Sequence, residues 1–167
     1  MARKVVYNNG YFEVSDEANI IHIKDLKGGV IIVPTTPSGD FILELIWREN
    51  INKYAYEFPR GFMESNEGSL DSAKRELKEE LNIKSDNLTY LGVVNTDSGI
   101  MDNSPHIFLA ENLDCDIKPQ DKEGIKRAII VSKDKIESMI NEGSITDSFT
   151  IVGYVKWLLH KKMKGEK

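Results

Sequence analysis

Three glutamates, Glu76, Glu79 and Glu80, stand at i, i+3 and i+4 in the stretch 61–83 of this chain. On a helix advancing about 100° per residue they share an arc of roughly 100°, beside an apolar arc holding Leu70, Ala73, Leu77 and Leu81. Like charges so placed repel by a few tenths of a kcal/mol per pair in water and by more in a cleft, so the face requires something positive. Lys74 and Lys78 project away from the arc and can only screen it. Hard oxygen ligands on one rigid face suit Mg²⁺ or Mn²⁺, and a cation bridging them to a pyrophosphate would neutralise both partners. A solvated acidic face is the plain alternative, and the spacing E-x-x-E-E alone does not separate the two.

The charge balance sharpens this picture. The 167 residues carry 22 Lys+Arg and 27 Asp+Glu, a net charge of −5. Of this, −3 lies in 61–83, where Glu64, Glu67, Asp71, Glu76, Glu79 and Glu80 outnumber Lys74, Arg75 and Lys78. The chain has no overall basic field, so neither nucleic acid nor a membrane surface is expected as a partner. Affinity for phosphate must come from local groups or bound cations. The single Cys115 cannot form an internal disulfide, and no apolar stretch has the length of a leader or a membrane span. A cytoplasmic, soluble protein is the expectation.

The elements that position these residues are legible from punctuation and period. Val5-Val6-Tyr7 and Tyr11-Phe12-Glu13-Val14 flank Asn9-Gly10, a hairpin signal, and Ile20 to Ile23 adds a third strand. Gly28-Gly29 precedes Val30 to Val33, and the loop 34–40 separates that run from Phe41 to Trp47, which reads as another hairpin pairing. Helical period appears over Ser69 to Leu81. Strands resume at Thr89–Val94, His106–Leu109 and Ile125–Val131, whose continuous apolar runs predict burial on both faces. Ser132 caps a helix bearing Ile136, Met139 and Ile140 that stops at Gly143. Asp147 or Ser148 caps a last helix whose apolar face is Val152, Val155, Leu158 and Leu159. The fold class is α/β, a mixed sandwich.

The segment 61–83 resembles the signature of the Nudix hydrolase family, G-x5-E-x7-R-E-U-x-E-E-x-G-U, where U is aliphatic. Gly61, Glu67, Arg75, Glu76, Leu77, Glu79, Glu80 and Ile83 match at the required spacing. Asn82 alone departs, standing where the family has glycine, and Asn is the non-glycine residue that best tolerates the left-handed conformation ending a helix. The resemblance implies an α/β/α sandwich with a mixed sheet, here with extra antiparallel strands in an N-terminal extension, 1–27, ahead of the hydrolase domain, 28–167. It implies that Glu76 and Glu80 are the principal metal ligands, with Glu79 beside them and the Arg60 carbonyl as a further donor to Mg²⁺ or Mn²⁺. Glu67 and Arg75 would hold the loop to the helix. Glu123 is the first choice for the base that takes the proton of the attacking water, and Asp121 the second.

Flanking features resemble the branch that splits ADP-ribose and nucleoside diphosphate sugars. Leu45-Ile46-Trp47-Arg48 with Glu57-Phe58-Pro59-Arg60-Gly61 looks like its strand ending in arginine and its entry to the box, and Asp97-Ser98-Gly99-Ile100 occupies the place of its substrate loop. Arg48, Glu57, Arg60 and Gly99 are thereby expected around the substrate. The partner of Arg48 is either phosphate or Glu57, and Arg60 either adds a guanidinium to phosphate or points to solvent. Tyr11, Phe12, Trp47 and Tyr56 are the aromatic residues available to stack on a base, or else to fill the core. The expected activity is metal-dependent hydrolysis of a nucleoside diphosphate-linked small molecule to a nucleoside monophosphate and a sugar phosphate. The alternatives are a nucleoside triphosphate or dinucleoside polyphosphate hydrolase, or a non-catalytic domain that senses ADP-ribose. The N-terminal strands, which in that branch help build a dimer, predict a homodimer with exposed edges as the physical motive.

Overall fold

A computed structural model describes residues 3–114 and 124–165 of the chain. Eleven strands and three helices are arranged among them: β1 (Lys4–Asn8), β2 (Phe12–Glu17), β3 (Ile20–Asp25), β4 (Gly29–Pro34), β5 (Phe41–Arg48), β6 (Lys53–Glu57), β7 (Arg60–Phe62), α1 (Ser69–Leu81), β8 (Leu88–Val93), β9 (Met101–Asp102), β10 (His106–Ala110), β11 (Ile125–Val131), α2 (Lys133–Asn141) and α3 (Ser148–Met163). The strands form three sheets, in the orders β1-β2-β3-β9, β7-β4-β10-β8 and β11-β5-β6. The second is mixed, because β10 runs parallel to β4 and antiparallel to β8.

Alternation along β4 sets the layers. Val30 and Ile32 pack with Ala73, Leu77 and Leu81 of α1, while Ile31 and Val33 pack with Ile136 and Met139 of α2 and Tyr154 and Trp157 of α3. With successive side chains on opposite faces, a strand buried on both sides must be covered by two helix layers, which gives the α/β/α sandwich. Leu77 and Leu81 are fully buried, each worth about 1.5–3 kcal/mol in removal from water.

Three expectations are corrected. The runs Val30–Val33 and Phe41–Trp47 are both strands but do not form a hairpin: only one bridge, Thr35 to Phe41, joins them. The turn chemistry is present, with Asp40 N–H donating to Thr36 Oγ1 and Gly39 at φ +83°. The ladder stops because β4 takes β10 and β7 as neighbours and β5 takes β11 and β6. Secondly, β8 and β11 are not buried on both faces. Each lies at the edge of its sheet, and both Tyr90 and Ile130 are exposed. Thirdly, Val155 and Leu159 of α3 are exposed, and the core side of that helix is Thr150, Gly153, Tyr154 and Trp157. A Cβ at Gly153 would stand 3.1 Å from Val33 and 3.2 Å from Phe58, so the missing side chain lets the helix backbone close onto the sheet. No helix among the described residues is long and apolar enough to cross a membrane.

Candidate active site

The carboxylate face is built by α1 and by the short strand opposite it. Ala73, Leu77 and Leu81 fix the rotation of the helix, and this brings Glu76 and Glu80 in with them: the two are 4% and 3% exposed. Glu79 lies further round, with half of its side-chain surface in water. The Arg60 backbone N–H donates to Glu80 Oε2 at 2.9 Å. Next to it, a Cβ built on Gly61 would fall 2.0 Å from Glu76 Oε1, so the glycine is required to leave that carboxylate its space. The loop and helix of the segment are joined by Arg75. Its NH2 donates to Glu67 Oε1 at 2.6 Å and to the Phe62 carbonyl at 2.8 Å, and its NH1 donates to Glu76 Oε1 at 2.7 Å and Glu79 Oε2 at 3.0 Å.

This arrangement perturbs the ionisable groups in a consistent direction. The Arg75 guanidinium holds the Glu67 carboxyl down to about 2, and the same contacts raise Arg75 above its ordinary value. Burial pushes Glu57 up, yet the hydrogen bonds and charges of Arg48 and Arg60 outweigh it and leave the carboxyl below its usual range. Glu57 is 2% exposed and bridges the two arginines. It accepts from Arg48 Nε and NH2 at 2.9 and 2.6 Å, and from Arg60 Nε and NH2 at 2.9 and 2.8 Å. Arg60 also reaches Asp147 at 3.4 Å, and its guanidinium lies 4.6 Å from the centre of the Phe149 ring.

An open cavity of about 1060 Å³ runs past these groups, and Glu67, Arg75, Glu76, Glu79, Arg48, Arg60 and Gly61 are among the residues that line it. Tyr11, Phe12 and Phe62 form an aromatic wall, with Phe62 edge-on to both other rings at 5.3 and 5.6 Å. Lys27, Thr96, Asn103 and Phe149 complete the parts that matter here. Gly99 is not among the lining residues. It sits in an exposed turn, where its N–H donates to Asp97 Oδ1. Trp47 packs edge-on to Tyr54, and Tyr56 packs against the core. His106 meets the Tyr90 hydroxyl at 3.2 Å, and His22 lies near Arg3 and Glu17. Glu64 is exposed, and its N–H donates to Glu67 Oε1. Glu123, Asp121 and Cys115 lie outside the described residues.

Glu76 and Glu80, two buried carboxylates on one helix face against the Arg60–Gly61 backbone, are hard oxygen donors of the kind that fits a divalent cation. Among the described residues, no three His, Cys, Asp or Glu side chains converge as a ready ligand cluster. The Arg75 guanidinium supplies the positive charge to Glu76 and Glu79 instead, so substrate oxygens and water would complete any metal sphere. Sequence reasoning did not reach Phe149, Asn103 or Thr150. Asp147 was expected as a helix cap and not as a partner of Arg60, because that contact spans 87 residues and leaves no local signal.

The comparisons with known proteins agree with this geometry. The model of the NUDIX domain matches residues 25–147. An ADP-ribose pyrophosphatase of Bacillus subtilis (strain 168) is 33% identical over 86 residues, which are 52% of this chain and 46% of that protein. The chain thus spans about half the length of this relative. A methanol dehydrogenase activator of Bacillus methanolicus is 25% identical over 142 residues, 82% of this chain and 75% of that protein. Among solved structures, an ADP compounds hydrolase has the same fold, with a TM-score of 0.81 over 100% of this chain and 95% of that one, at 17% identity. With the signature residues gathered on one helix face and its loop, and a domain model covering most of its length, the chain belongs to the NUDIX family.

Proposed function

We propose that this protein hydrolyses the pyrophosphate bond of ADP-ribose or a related nucleoside diphosphate sugar, with Mg²⁺ or Mn²⁺ as cofactor, giving a nucleoside monophosphate and a sugar phosphate. The observation that carries the reading is the buried pair Glu76 and Glu80 set against the Arg60–Gly61 backbone beside a nucleotide-sized cavity. Its volume lies just above the range usual for small-molecule sites, about 300–1,000 Å³. Similarity to an ADP-ribose pyrophosphatase supports the substrate class.

Glu76 and Glu80, with Glu79 and the Arg60 carbonyl, would hold the metal. When bound, it supplies Lewis acidity towards phosphoryl oxygens and charge to offset both carboxylates and diphosphate. Arg48 and Arg60 are held side by side by Glu57, so neither must be ordered when substrate arrives, and their unshared N–H groups suit phosphate oxygens. Tyr11 and Phe12 offer ring faces to a base, worth about 1–3 kcal/mol by stacking. We further propose that the protein acts as a homodimer.

The test is a substrate panel with product identification in Mg²⁺ and in Mn²⁺. ADP-ribose should give AMP and ribose 5-phosphate, and Glu80→Gln should lower kcat by about 10²-fold or more, since a carboxylate that would hold the metal is lost. Release of pyrophosphate from nucleoside triphosphates, with ADP-ribose untouched, would replace this reading with that of a triphosphatase.

A further inference from the structure

Both buried carboxylates lie against one four-residue segment, Phe58-Pro59-Arg60-Gly61: Glu80 accepts from the Arg60 N–H, and Glu76 occupies the space beside Gly61. Pro59 has no N–H, so the consecutive backbone donors of this segment are Phe58 and Arg60. Each donates to a side chain. Phe58 N–H donates to Thr150 Oγ1 at 3.0 Å, and Arg60 N–H to Glu80 Oε2 at 2.9 Å. The Pro59 carbonyl accepts from Ile32 N–H at 2.9 Å.

Thr150 is fully buried, and its hydroxyl is used twice, because it also donates to Asp147 Oδ2 at 2.8 Å. The same Asp147 oxygen caps α3 by accepting from Thr150 N–H at 2.8 Å, while its other oxygen meets Arg60 NH2 at 3.4 Å. The first turn of α3 therefore grips the segment at two points, through the backbone of Phe58 and through the side chain of Arg60. Gly153, one turn on, lets the helix lie against the Phe58 ring.

We propose that Thr150, oriented by Asp147, is a positioning residue that sets the Arg60–Gly61 backbone against Glu80 and Glu76 and so governs the affinity of that carboxylate pair for a divalent cation. The inference rests on the metal-dependent reading above. A hydroxyl buried between an N–H and a carboxylate has a single rotor setting that serves both, so it transmits helix position to backbone position without slack. Replacing it leaves the Phe58 N–H buried and unpaired, and the segment must move to recover a partner.

The experiment titrates full-length protein with Mn²⁺ and follows free Mn²⁺ by electron paramagnetic resonance, without substrate, well below the Tm of each variant. Thr150→Val should weaken Mn²⁺ binding by about 10-fold or more, the scale of loss when a residue supporting a metal ligand is removed. Thr150→Ser should restore it to within about 2-fold, because the hydroxyl returns. Asp147→Asn keeps an oxygen for the helix cap and should weaken binding in the same direction, and it carries the test should Thr150→Val not fold. Wild-type binding in Thr150→Val with only a lowered Tm would make the residue merely structural and overturn this inference alone. A wild-type protein that takes up no Mn²⁺ would overturn the metal-dependent reading, and this inference with it.

Discussion

Arg75 reaches three carboxylates, Glu67, Glu76 and Glu79, with contacts of 2.6–3.2 Å. It is one residue of the signature, yet it sets the charge of the whole face, and its hold on Glu67 has a pH signature. The folded-state value of Glu67, about 2, lies below its ordinary 4.5. Its contribution to stability is therefore full above the ordinary value and is lost as pH falls towards about 2. Glu67→Gln should remove that contribution, so its Tm should fall less steeply than wild type on acidification across this window, in parallel melts followed by circular dichroism. The match to the family signature made these residues legible, since Glu67, Arg75, Glu76, Glu79 and Glu80 lie within one loop and one helix. The ties of Arg48 and Arg60 were half legible: Glu57 was one of two partners weighed for Arg48, and solvent the alternative for Arg60. Asp147 was not, because nothing local marks a partner across the fold.

Helix α1 shows how much an element's ends reveal. Asn82 lies at φ 58°, ψ 25°, with its N–H directed to the carbonyls of Leu77 and Lys78, and Lys78 Nζ donates to its side chain. Asn82→Ala should destabilise the protein by about 1 kcal/mol, because Ala meets the left-handed conformation with its Cβ and offers no local hydrogen bond. Asn82→Gly should remain within about 0.5 kcal/mol of wild type, since relief of strain offsets the lost Lys78 contact. Midpoints of urea unfolding measure both. Helices α2 and α3 begin where capping chemistry predicts, with Ser132 and Asp147 accepting from the third residue on, whereas α1 starts after Gly68 with no side-chain cap. Helix ends are local, and therefore legible. The pairing of β4 with β10 is not: both strands are apolar, and only tertiary packing decides between a sequence neighbour and a strand more than 70 residues away. The buried face of α3 was likewise hidden, because that helix carries apolar residues on more than one side and a glycine selects which of them turns inward.

At the scale of the molecule, β1 ends its sheet as an edge strand, and Val5, Val6 and Tyr7 are all at least half exposed. An unpaired edge with apolar side chains is a surface for another strand. Light scattering at micromolar concentration should return twice the 18.9 kDa of one chain, and Val6→Lys should shift the mass towards that of a single chain; an unchanged wild-type monomer mass would remove the dimer. The opposite end of this sheet has a different neighbour. There β3 runs parallel to β9, Ile23 N–H donates to the Ile100 carbonyl at 2.8 Å, and the loop so held carries Thr96 and Asn103 on the cavity wall. The cavity wall that carries Thr96 and Asn103 is therefore tied to the N-terminal strands rather than to α1, so a change in how β3 packs reaches the cavity without passing through the carboxylate helix.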